Sequence, residues 1–116
     1  MVLKNEKKDI NLLEDINFSL DHNSILGLVG ETGSGKTITA LSIMRLLNEK
    51  SLRISGGSIF FKEKNILDFS EKSINKIRGK EISMIFQEPM ISLNPVFTVG
   101  KQISEIIRTH KNISFG

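Results

Sequence analysis

The clearest hydrophobic feature of the chain is the nearly unbroken apolar run Ile25-Leu26-Gly27-Leu28-Val29, set between the polar turn Asp21-His22-Asn23-Ser24 and a glycine-rich stretch. A short run without alternation suits a buried parallel strand covered on both faces. Ahead of it, residues 12–20 alternate loosely through Leu12, Ile16, Phe18 and Leu20 and predict a strand with one exposed face. Behind it, residues 38–47 repeat apolar side chains at helical spacing, with Leu41, Ile43 or Met44, and Leu47 on one face. Strand, glycine loop and helix follow in the order of a phosphate-binding loop.

Further along, Ser55-Gly56-Gly57 breaks the pattern, and residues 58–61 read as a short edge or hairpin strand. A second helix is predicted over residues 71–78. Ser70 is placed to cap it, Glu71 favours its positive end, Gly79 can close it, and Phe69 and Ile74 stand at the positions of a hydrophobic staple. Residues 82–86 form another short apolar strand candidate. Val99, Ile103, Ile106 and Ile107 then mark one face of a helix. The chain has no internal repeat and no low-complexity linker.

Composition narrows the classes. With 116 residues, 39% hydrophobic and 25% charged, the chain can form one compact domain with a modest core and is not compositionally disordered. Cysteine is absent, which excludes disulfides and thiolate metal sites and fits a reducing compartment. No apolar run approaches the roughly 20 residues of a membrane span. The charged residues 1–8 lack an apolar signal core, so a cytosolic location is expected. The net charge of +3 comes from scattered basic residues, with no Tyr or Trp among them to stack on bases. Nucleic acid is not an expected partner.

The strongest chemical signal is Gly30-Glu31-Thr32-Gly33-Ser34-Gly35-Lys36-Thr37, which satisfies G-x-x-x-x-G-K-[ST]. Binding a polyphosphate requires several backbone N–H groups pointing into one concavity, and Gly33 and Gly35 remove side chains that would obstruct it. The N-terminus of the following helix adds unpaired N–H groups and its dipole. Lys36 is the expected partner of the β- and γ-phosphates, and Thr37 of Mg²⁺. Residues 30–38, with Ile38 the last, are the expected nucleotide-binding set. In a chain of this composition, an accidental match occurs on the order of 1% of the time.

A second segment separates the classes of phosphate-loop protein. It runs Arg78-Gly79-Lys80-Glu81-Ile82-Ser83-Met84-Ile85-Phe86-Gln87-Glu88-Pro89-Met90, then Ile91-Ser92-Leu93-Asn94-Pro95-Val96-Phe97-Thr98-Val99-Gly100. It closely resembles the Q-loop region of ABC transporter ATPases, above all the oligopeptide and dipeptide uptake branch. There a strand ending in Phe-Gln precedes an acidic-Pro pair and a Ser-Leu-Asn-Pro turn. Asp15-Ile16-Asn17-Phe18 and Gly56-Gly57-Ser58-Ile59-Phe60 also look like upstream strands of that family, so the resemblance spans most of residues 11–105.

The resemblance implies an α/β fold, the N-terminal part of a P-loop core with a flanking antiparallel β region. It implies an ATPase, with ATP and Mg²⁺ as cofactors and Lys36 and Gln87 as catalytic residues, Thr37 and Gln87 lying near the metal. A neutral amide such as that of Gln87 can contact Mg²⁺ or the attacking water without adding charge. By the same resemblance Gln87 couples nucleotide state to membrane permease subunits. Two ATP-binding subunits would clamp ATP head to tail, an extracytoplasmic peptide-binding protein would take part indirectly, and the subunit would sit peripherally on the cytoplasmic face of the membrane. Glu88 is read as a loop residue, and His22 and His110 as structural or solvated.

Within residues 1–116 there is no Leu-Ser-Gly-Gly-Gln signature, no apolar strand ending in Asp-Glu and no switch histidine. These residues are therefore expected not to turn over ATP by themselves. Lys7 stands where the family often carries an adenine-stacking aromatic, which leaves base recognition open. The alternatives are a non-transport ABC-type ATPase, in which the Ser-Leu-Asn-Pro segment is not expected, a small-molecule kinase, which would need an Arg-rich lid, and a nucleotide-binding remnant without activity. Pro89 and Pro95 predict that residues 87–100 form a loop rather than a helix. Its apolar side chains Met90, Ile91, Leu93, Val96 and Phe97 pack on the following helix in one reading, and in the other line a groove for a permease helix.

Overall fold

The computed structural model describes residues 1–5, 10–48, 52–88 and 93–111. Lys7 and residues 89–92, on which part of the expectation above falls, lie outside the described residues. The chain divides into two compact units, Met1–Phe69 and Ser70–Gly116.

The first unit is built on a three-stranded antiparallel sheet. Its strands are β1 (Val2–Asn5), β2 (Ile10–Leu13) and β3 (Leu52–Gly56), in the order β2-β1-β3. Leu3 on the central strand faces Leu13 on one side and Ile54 on the other. Leu3 and Leu13 are buried, and this cross-strand pair anchors the apolar face of the sheet. Two strands here, β1 and β3, fall where the hydrophobic pattern predicts none. Each is only 4 or 5 residues long with charged or polar alternate positions, too little for periodicity to register. A small hairpin, β4 (Phe60–Phe61) with β5 (Lys64–Asn65), matches the expected strand at residues 58–61. It turns through Lys62 and Glu63, both at positive φ, and leads into a 3-10 turn at Ile66–Asp68.

Helix α1 (Lys36–Ile43) follows the glycine loop but stops earlier than the apolar spacing suggests. Arg45 adopts φ 50°, and the Leu46 amide donates to the Leu41 carbonyl, so the chain turns out of the helix there. The Arg45 guanidinium donates to the carbonyls of Ile66 and Phe69, tying the helix exit to the 3-10 turn. Two buried hydroxyls in α1 are satisfied within the helix: Thr39 donates to the Gly35 carbonyl and Ser42 to that of Ile38.

In the second unit, α2 (Glu71–Ile77) forms as expected. The Ser70 side chain accepts from the Ser73 amide, Glu71 sits in the first turn, and Gly79 (φ 76°) follows the helix end. Ile74 and Ile77 are its buried face. Helix α3 (Val99–His110), capped by Thr98, confirms the 3.6-residue apolar spacing, yet none of its residues is buried.

The two predicted apolar strands are corrected. Neither residues 25–29 nor residues 82–86 form a strand, and Ile25, Val29 and Ile85 are 100%, 92% and 91% exposed. The strand expected over residues 12–20 likewise extends only to Leu13. The physical cause is pairing. A strand satisfies its N–H and C=O groups only against neighbours, and among the described residues no strand lies beside either run. Apolar character marks a segment suited to a sheet interior without supplying the sheet.

Candidate phosphate-binding loop

Residues 30–37 fold into a tight loop from their own interactions. The Ser34 amide donates to the Glu31 carbonyl at 3.2 Å, closing a turn. Gly33 and Gly35 hold φ at 86° and 95°, a left-handed region that side chains disfavour. The two differ in a way the spacing does not reveal. A Cβ on Gly33 would meet nothing within 4 Å, so only its backbone angle demands glycine. A Cβ on Gly35 would also lie 2.3 Å from Leu13 Cδ2. The buried Leu13 of β2 is thus the floor beneath the residue that opens α1. Gly30 serves close approach, because a Cβ there would stand 2.6 Å from Ser34 Oγ.

Lys36, first residue of α1, folds back over this loop. Its Nζ donates to the carbonyls of Gly30 and Glu31, each at 2.6 Å, and to Ser34 Oγ at 3.2 Å. Among the described residues, Lys36 Nζ is bonded to neutral acceptors and no acidic residue lies in the first turn of α1, whose positive end adds to the charge of the ammonium. That arrangement suits an anion. Glu31, Thr32, Gly33, Ser34 and Thr37 are exposed, and Gly35, Lys36 and Ile38 half-buried, which leaves the loop surface open. The donors and charge fit a polyphosphate. Thr37 is exposed on the first turn of α1.

The other candidates are placed individually. Gln87 is exposed in a bend of the second unit. Glu88 beside it is exposed as well. His22 is exposed in the turn that Ser24 closes by donating to the Asp21 carbonyl. His110 packs its ring against Gly79, where a Cβ would lie 3.1 Å from Nε2, a structural placement. Of the apolar loop side chains, Leu93, Val96 and Phe97 are 39%, 80% and 44% exposed, so packing onto α3 does not bury them. Sequence spacing includes Gly30 in the loop but misses Leu13 beneath it, and it misses Gln102, which grips residues 94–97. A lone glutamine on a helix gives no pattern signal.

A phosphate loop opening a helix beside an antiparallel sheet defines the class, a P-loop nucleotide-binding protein. Residues 13–114 match the ABC transporter family, and the chain belongs to it. It is 49% identical over 106 residues to the oligopeptide transport ATP-binding protein OppD of Escherichia coli (strain K12), covering 91% of this chain and 31% of that protein. It is 47% identical over 108 residues to the oligopeptide transport ATP-binding protein AppD of Bacillus subtilis (strain 168), covering 93% of this chain and 33% of that one. The chain thus spans about a third of the length of the curated relatives it matches. No solved structure matches it. Among the described residues, no helix is long and apolar enough to cross a membrane.

Proposed function

We propose that residues 1–116 are the N-terminal part of the nucleotide-binding domain of an ATP-binding subunit that energises peptide import. The observation carrying nucleotide binding is the Lys36 ammonium, held over the glycine loop by neutral acceptors among the described residues. The similarity to oligopeptide transport ATP-binding proteins supports the substrate class. In this reading residues 30–38 hold the phosphates. Lys36 exchanges its loop carbonyls for phosphate oxygens, which are charged and so stronger acceptors. Bound MgATP supplies the phosphoanhydride and the divalent cation. Thr37 offers that cation a hydroxyl, and Gln87 a neutral amide that orients water.

In this reading each exposed run, residues 25–29 and residues 82–86, pairs as a strand in a subunit of the relatives' full length. Permease subunits meet the apolar turn at residues 93–98. A second ATP-binding subunit completes the site head to tail on the cytoplasmic face of the membrane, and an extracytoplasmic peptide-binding protein acts through the permease.

Nucleotide binding is tested by thermal stability. MgATP or MgADP at 100-fold excess over Kd should stabilise the chain by about 2.7 kcal/mol. Lys36→Ala should erase most of that ligand-dependent gain, whatever it does to the unliganded baseline. Equal gains in both proteins, or none in either, would overturn the proposal.

A further inference from the structure

Gln102 makes an unusually complete set of bonds for a surface glutamine. Its Nε2 donates to the carbonyls of Asn94 (3.0 Å) and Phe97 (2.9 Å), while its Oε1 accepts from the Asn94 amide (2.9 Å). Both amide hydrogens and the carbonyl oxygen are engaged, so the orientation of the amide is fixed by its partners. Reversing it would set an oxygen against two carbonyls. Asn94 extends the network by accepting the Val96 amide on Oδ1 at 3.0 Å, and the Phe97 amide donates to the Asn94 carbonyl. On the next turn back, Thr98 caps α3, and Lys101 Nζ lies 4.3 Å from the centre of the Phe97 ring.

The donor-donor-acceptor pattern admits few substitutes. Glutamate keeps the acceptor but presents a carboxylate to two carbonyls. Methionine keeps shape and helix propensity and makes none of the three bonds. Asparagine is one methylene short.

Such a grip is unexpected on a turn whose apolar side chains Leu93, Val96 and Phe97 remain exposed. A solvated loop gains little from being held, whereas a loop that must dock avoids an ordering penalty on binding if it is already fixed. We propose that Gln102 is a positioning residue that locks residues 94–97 to the first turns of α3, so that the apolar turn meets its partner preformed and moves with the helix as one piece. This rests on the reading that the turn docks on a permease helix.

Two measurements separate the inference from that reading. The first is amide exchange in residues 1–116. Gln102→Met should speed exchange at Asn94 about tenfold or more, while the Val96 amide, held by Asn94 itself, changes less. Gln102→Glu, whose second carboxylate oxygen would face the Asn94 and Phe97 carbonyls, should also speed exchange at Asn94. Helix content and the stabilisation by MgATP should stay as in the parent, since Gln102 lies outside the phosphate loop. Unchanged Asn94 exchange in the Met variant overturns the proposal. The second uses a full-length subunit containing these residues, assembled with its permease and carrying Phe97→Cys. Cross-linking to the permease should require about 5–10-fold more subunit with Gln102→Met than without it. Cross-links that form equally well in both overturn the positioning role and leave the docking reading intact. If the parent forms none at residue 97, the docking reading fails and the positioning role falls with it.

Discussion

Residues 25–29 and residues 30–44 are consecutive, yet the structure treats them in opposite ways. The loop and helix close upon themselves. Lys36 reaches back to Gly30 and Glu31, Ser34 to Glu31, and Thr39 to Gly35, all within six residues. The run before them is the most apolar stretch of the chain, and Ile25 and Val29 stand almost fully exposed. The second unit repeats the contrast. There α3 is capped by Thr98 and its leading turn is held by Gln102, whereas residues 82–86 make a single isolated bridge at Ile82 to Arg78. Segments whose polar groups find partners within a turn or two form from local sequence. A sheet interior needs neighbours along its whole length, however apolar its own side chains.

The sharpest way to break this comparison is amide exchange across both kinds of segment. In residues 1–116, amides of residues 25–29 and 83–86 should exchange within about tenfold of unstructured rates, while those inside α1 are slowed. In a subunit of the relatives' full length, the same two runs should slow by about a thousandfold or more, as buried strands do. Strong protection of residues 25–29 in residues 1–116 alone would show that the run needs no further strands.

A pair of glycine substitutions carries the contrast to side-chain scale. Gly35→Ala must place a Cβ at φ 95° and 2.3 Å from Leu13 Cδ2, so it should destabilise the first unit by about 2–4 kcal/mol. Gly27→Ala, with nothing within 4 Å and no positive φ, should stay within about 1 kcal/mol of the parent and can even stabilise. Denaturant midpoints measured at unchanged slope check both. Similar losses for the two would mean that the loop is no more tightly built than the run before it.

The same division decides what could be read from the sequence. The loop, α2 with its Ser70 cap, and the 3.6-residue face of α3 were all predictable, because a motif, a cap or a period fixes each locally. The antiparallel sheet is only partly so: the alternation over residues 12–20 takes in Leu12 and Leu13, but Val2–Asn5 and Leu52–Gly56 carry too few apolar alternations. The parallel strand expected at residues 25–29 and the short apolar strand expected at residues 82–86 are absent for the opposite reason. Their pattern was clear, but pattern records suitability for a sheet and not the presence of neighbours. At the candidate site, the bonds of Lys36 to Gly30 and Glu31 and the closeness of Leu13 to Gly35 needed coordinates, since neither follows from residue type at a spacing.

The smallest effects make the most discriminating test. Ser70 Oγ accepts the Ser73 amide at the start of α2, and Ser70→Ala should cost about 1 kcal/mol, the usual worth of such a cap. Val29→Ser replaces a far more hydrophobic side chain, and a scale that assigned stability by residue type would rank it the worse change. At 92% exposure, however, Val29 buries almost nothing for serine to forfeit, so the substitution should move stability by no more than about 0.5 kcal/mol. In the full-length subunit the ranking should invert, because a valine on a covered strand then loses about 1–3 kcal/mol while the cap is unchanged. If Val29→Ser already exceeds Ser70→Ala in residues 1–116, the run is packed in solution. The division between locally closed and partner-dependent segments would then fail at the position where it is drawn most sharply.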